Sequence, residues 1–254
     1  MQNRCKKCNL PLAQSKDKGI GRTNVSASSA TAFSPTDVAR RYKSDYSRAS
    51  NDLTNRSIEC IQELCELIMT PKVGSKELTE SIIKLIFRQF HIKEVSIGLR
   101  SASDGRFRYV AMEGMRANIW AEHVKLSYTK DVFFDSKKYK GTQVSKYTKL
   151  LLAEDEPYDD GEKKTYSEHL MLSSARKAYD DSIEGDYLDI LVFGPQDQVL
   201  GWIEISGTWD GKLPSPKIIR TIEVFASLLG IALSRDPSIA GTELQGSDQP
   251  SKKK

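Results

Sequence analysis

Tyr187-Leu188-Asp189-Ile190-Leu191-Val192-Phe193 and Val199-Leu200-Gly201-Trp202-Ile203-Glu204-Ile205 decide the fold. Each run is rich in β-branched and aromatic side chains, which suit a pleated surface. Gly194-Pro195-Gln196-Asp197-Gln198 between them has turn composition, so the two runs read as paired strands. Thr208-Trp209-Asp210-Gly211 is a further turn. Ser215 then caps a helix that has Pro216 at its first position. Ile218, Ile219, Ile222, Phe225, Ala226, Leu229, Ala232 and Leu233 give that helix a broad apolar face, suited to burial against a sheet and another helix.

Upstream, the period changes twice. Val95, Ile97 and Leu99 alternate as in a strand, Asp104-Gly105 signals a hairpin, and Phe107, Tyr109 and Ala111 continue as a second strand closing at Glu113-Gly114. Before them, Leu78, Ile82, Leu85, Ile86 and Phe90 mark a helix from about Ser75 to Phe90. An apolar stripe through Val38, Tyr42, Tyr46, Ala49 and Leu53 to Ile68 predicts one long helix. It starts at Ser34-Pro35, with Asp37 as the capping acid, and stops at Pro71.

Residues 117–187 are less periodic. Ile119, Trp120, His123 and Val124 suggest a short helix, Val132-Phe133-Phe134 a short strand or a core plug, and Ser167 to Tyr179 an indefinite helix. Long irregular insertions in small domains are commonly functional or mobile. The order of helices, hairpin, irregular region, strand pair and helix defines an α+β layer fold: an antiparallel sheet flanked by terminal helices, with a long N-terminal helix.

This order, with the local sequences Val110-Ala111-Met112-Glu113-Gly114, Gln198 to Ile205 and Phe225 to Leu233, resembles the GAF family over residues 53–235. The resemblance implies a GAF-like fold and a sensor or interaction module. Such a module takes a small molecule between sheet and variable segment, or dimerises through its terminal helices. It places Trp120, His123, Tyr128, Phe133, Asp189 and Trp202 as candidate ligand-binding residues, several of them equally good as core. A PAS-like or profilin-like arrangement shares the layer pattern.

The family's covalent and cofactor chemistries find no support in the residues. The only cysteines after the N-terminal pair, Cys60 and Cys65, fall on the first helix, outside the implied pocket, and read as small core hydrophobes. Haem needs an axial ligand, and His123 and His169 are the candidates. There is no Gly-x-Ser-x-Gly elbow and no phosphate loop, so the chain reads as a non-enzyme. The acidic run Glu154-Asp155-Glu156 with Asp159-Asp160 lacks calcium-loop spacing and reads as a solvated loop.

The chain's 254 residues leave room for appendages. Cys5 and Cys8 form a Cys-x-x-Cys segment within residues 1–15, half of a zinc knuckle that a second subunit or a partner would have to complete. Residues 16–36 read as a disordered linker, 37–235 as the GAF-like domain with its leading helix, and 236–254 as a disordered tail ending in three lysines. Net charge is +4, no apolar run approaches the roughly 18 residues a membrane span needs, and no signal sequence is visible. The expectation is therefore a cytoplasmic protein that does not enter membranes.

Two functions fit. One is a small-molecule-sensing or signalling module acting through a protein partner or a homodimer formed by the helix 37–69 and the C-terminal helix. The alternative is a ligand-free scaffold or adaptor contacting a nucleic-acid or protein machine through the basic Cys-x-x-Cys arm.

Overall fold

The computed structural model describes residues 34–49, 52–70, 73–155, 158–166 and 175–236. The chain divides into two units, Met1–Arg48 and Ala49–Lys254. In the first, α1 (Pro35–Ala49) presents Val38, Tyr42 and Tyr46 as exposed side chains. The helix expected to run unbroken to Pro71 is two helices. Asp52 has extended backbone (φ −82°, ψ 145°) and stands as the N-cap of α2 (Leu53–Met69). A shared apolar stripe is thus compatible with a break, because periodicity constrains which face is apolar and not whether the backbone is continuous.

In the second unit α2 is followed by α3 (Ser75–Phe90), the hairpin β1 (Val95–Arg100) and β2 (Phe107–Glu113), and two short helices, α4 (Ala117–His123) and α5 (Lys130–Phe133). A small hairpin, β3 (Thr142–Gln143) with β4 (Thr148–Leu151), precedes β5 (Tyr187–Phe193), β6 (Val199–Ile205) and α6 (Pro216–Leu233). The six strands form one sheet in the order β2-β1-β6-β5-β4-β3, antiparallel throughout.

Alternation along the strands sends one set of side chains to each face. Val95, Ile97, Ile190, Val192, Ile203 and Ile205 meet Leu64 of α2, Ile82 and Ile86 of α3, and Phe225 and Leu229 of α6 in a single core. Burying each such side chain fully is worth about 1.5–3 kcal/mol. Cys60 is part of this core, and burial pushes its thiol up to about 11. Ser215 accepts from the Ile218 amide (3.4 Å), so the expected cap of α6 is present.

Three local departures shape the other face. A bulge lies between the Ile97–Ala111 and Gly98–Tyr109 pairs, so Ala111 turns to the helix side while Phe107 and Tyr109 face away. Val132-Phe133 is not a strand. It lies in the single helical turn of α5, where Thr129 accepts from the Val132 amide (3.4 Å). Residues 175–179 are not helical, and the remainder of the proposed 167–179 helix lies outside the described residues, as do Cys5, Cys8 and His169. Gly114 closes β2 with φ +86°, and an added Cβ there would fall 1.9 Å from the Lys93 carbonyl oxygen, which explains why the strand ends on glycine.

Candidate functional site

The face of the sheet opposite α2, α3 and α6 carries a cavity of about 280 Å³. Its floor is built by the same alternation that builds the core. Ser96 pairs with Glu204, Glu204 with Asp189, and Asp189 with Lys149, so one polar row crosses β1, β6, β5 and β4. Trp202 and Leu191 form the adjacent row. The Trp202 indole lies over Gly98, where a Cβ would come within 2.1 Å of the ring, so glycine at that position makes room for it.

The walls come from the irregular region. Phe133 packs on Trp202 (ring centroids 4.9 Å apart) and Tyr128 stands edge-on to it (6.0 Å). Tyr139, Tyr158, Glu162 and Tyr166 close the side nearest β4 and β5. Hydrogen bonds fix this wall. Tyr139 Oη donates to Glu162 Oε1 (2.5 Å), Lys149 Nζ to the Tyr139 carbonyl (2.6 Å), and Tyr158 Oη to the Gly185 carbonyl (3.0 Å). Beneath it, Arg176 Nη2 donates to both oxygens of the buried Asp186 (3.0 and 2.9 Å) and to Glu154 (2.9 Å), and Asp186 also accepts from the amides of Ala153 and Ile183.

Two carboxyls face each other on the floor. Glu204 accepts from Tyr109 Oη (2.9 Å) and Ser96 Oγ (3.1 Å). Burial nonetheless pushes it up to about 7, the hydroxyls opposing the shift and the charge of Glu162 adding to it. Asp189 rises well above the carboxylate range for the same reason, with Glu204 adding to the shift and Lys149 opposing it. Its Oδ1 is buried and accepts no hydrogen bond. Such an orphaned acceptor costs about 1–3 kcal/mol.

Of the residues singled out from the sequence, Tyr128, Phe133, Asp189 and Trp202 come together as lining. Trp120 and His123 do not line it. They sit on α4 behind Tyr109, with centroids 6.4 and 5.0 Å from its ring. His123 is buried, its Nδ1 pairs with the Ile119 carbonyl (3.1 Å), and burial lowers its pKa. Glu204, Tyr109, Lys149 and Glu162 were missed. Glu204 had a readable signal, being polar in an apolar strand at the same parity as Trp202. Lys149 and Glu162 lie in a stretch with no period to read.

Among the described residues no group of three or more His, Cys, Asp or Glu could hold a metal ion. Among the described residues the lining includes neither histidine nor cysteine, and its polar groups are carboxyl, ammonium, hydroxyl and amide. No described helix is long and apolar enough to cross a membrane.

No family model and no curated protein matches the chain. Solved GAF domains are similar to it in structure. One, from a putative sensor histidine kinase of Pseudomonas syringae pv. tomato, is 11% identical with TM-score 0.42, covering 76% of this chain and 92% of that one. Another, from an Acinetobacter phosphoenolpyruvate-protein phosphotransferase, is 13% identical with TM-score 0.45, over 79% and 99%. The A. aeolicus nlh2 GAF domain in an inactive state is 14% identical with TM-score 0.45, over 71% and 97%.

Proposed function

We propose that residues 53–235 form a small-molecule-sensing regulatory module that works by binding and not by catalysis, with the cavity over β4, β5, β6 and β1 as its ligand site. The observation that carries this reading is the buried, unpartnered Asp189 Oδ1 in a cavity walled largely by aromatic rings, with a few polar groups beside them. Pre-formed apolar sites with a few convergent polar groups are what small ligands use. A ligand donor reaching that oxygen recovers the cost of leaving it unpaired.

Output then passes to a protein partner or a second copy of the chain. The helices placed to carry it are α2 and α6, which pack on the far face of the same sheet and are joined by Thr221 Oγ1 donating to Ser57 Oγ (3.1 Å). The exposed Val38, Tyr42 and Tyr46 of α1 suit such an association.

A thermal-shift screen of metabolites against the full chain tests this. At a hundredfold excess over Kd a ligand adds about 2.7 kcal/mol, or roughly 5–10 °C in Tm for a domain of this size. The same compound should lose its effect on Leu191→Phe, whose larger ring enters the cavity. A hit that stabilises both proteins equally binds elsewhere and removes the cavity from the account.

A further inference from the structure

Resting on that reading, we propose that the cavity takes an organic ammonium ion carrying an aromatic or apolar group, its cation held between the Asp189 and Glu204 carboxyls and an aromatic corner made by Tyr109, Tyr128 and Trp202.

The corner is a matter of angles. The Tyr109 and Trp202 rings are 5.0 Å apart at 77°, Tyr128 and Trp202 6.0 Å at 79°, and Tyr109 and Tyr128 6.4 Å at 71°. Three nearly perpendicular rings, all lining one cavity, form the corner of a box. Ring faces are negative, and boxes of this kind attract alkylammonium groups.

The charges agree. Among the described residues three carboxyls line the cavity, Glu162, Asp189 and Glu204, against one cation, Lys149. Lys149 is committed to the Tyr139 carbonyl and sits on the Asp189 side of the floor. Glu204 is held by the hydroxyls of Tyr109 and Ser96, both neutral donors. Glu204 is thus held by neutral groups, with the cation Lys149 standing across from Asp189. An anionic ligand would make these buried acids still harder to ionise and would find one cation to pair with among the described lining residues. The three acids are not grouped to ligate one metal ion. An ammonium group with three donors can reach both floor carboxyls and still leave its carbon chain on the rings. Burial holds both acids above the ordinary carboxylate range, and a bound cation would return them to their ionised form.

The test is calorimetric titration of the full chain at pH 7.5. Phenethylamine, tryptamine and tetramethylammonium serve as cations, 2-phenylethanol as the neutral isostere and 3-phenylpropanoate as the anion. Phenethylamine or tryptamine should bind at least tenfold more tightly than 2-phenylethanol, and 3-phenylpropanoate should not bind. That preference should fall below threefold in Asp189→Asn and in Glu204→Gln. Either variant suffices if the other does not fold. Equal or tighter binding of the neutral or anionic probe overturns the proposal, as does a cation preference that survives both substitutions. If no amine binds but the metabolite screen yields an uncharged or anionic ligand sensitive to Leu191→Phe, the ligand class is wrong and the sensing module stands. If neither experiment yields a ligand, both fall.

Discussion

Asp189 on β5 and Glu204 on β6 are direct cross-strand partners on the cavity face of the sheet, with Lys149 beyond one and Ser96 beyond the other. Two acids side by side in a desolvated site resist ionising together, and both are shifted upward, Glu204 to about 7.

That pair makes the domain's stability fall with rising pH. Below about pH 4 the carboxyl is protonated in both folded and unfolded chains. Between there and about 7 the unfolded chain ionises while Glu204 keeps its proton, so folding loses ground until the folded group also ionises. Acids such as Asp181, held down to about 2 by Lys212, act in the opposite sense at lower pH, so the comparison must be between variant and wild type. Glu204→Gln should be more stable than wild type by about 1–3 kcal/mol at pH 8 and indistinguishable at pH 4, read from urea unfolding.

Tyr109→Phe removes the hydroxyl that Glu204 accepts from, a bond that favours the ionised form. The carboxyl of Glu204 should then titrate above the wild-type value in a carbon-13 NMR titration. An unchanged or lower midpoint would mean that the hydroxyl does not stabilise the charge.

Gly98→Ala should cost about 1–3 kcal/mol, because the new methyl lands within 2.1 Å of the Trp202 ring in a packed floor. The ring must move into the cavity, so ligand binding should weaken along with Tm. Undiminished binding would place the ligand away from Trp202.

Arg176→Met strands Asp186, whose side chain has no exposure, without its cation. Breaking such a buried pair from one side costs roughly 3–5 kcal/mol. Adding Asp186→Asn should recover part of that loss, since it removes the uncompensated charge, and hydrogen exchange in 175–186 should report both changes.

What could be read beforehand follows from how each element is built. The strands β5 and β6 are nearly continuous apolar runs rich in β-branched and aromatic residues, the helix α6 carries a 3.6-residue period over eighteen residues, and their ends carry the matching turn and cap residues. The β1–β2 register was half legible, because the bulge between Tyr109 and Ala111 shifts parity without leaving a sequence mark. The β3–β4 hairpin was missed, since Thr142-Gln143 and Thr148-Lys149-Leu150-Leu151 are too short and mixed to show alternation. The same stretch supplies the cavity walls, and that is why Lys149, Tyr139 and Glu162 went unrecognised. Trp120 and His123 are candidates that the family resemblance implies. Only the docking of α4 decides that they back Tyr109 instead of facing the cavity.

The central claim is that a ligand enters this cavity, and the three tryptophans provide a direct readout. Trp202 lines the cavity. Trp209 donates its indole N–H to the Ile92 carbonyl (3.0 Å), and Trp120 lies behind Tyr109. In a proton–nitrogen NMR spectrum of the full chain, titrated with the best compound from either screen, the Trp202 indole resonance should move to saturation. The Trp209 resonance should stay fixed. A saturating shift of Trp209 with Trp202 unmoved would contradict the account.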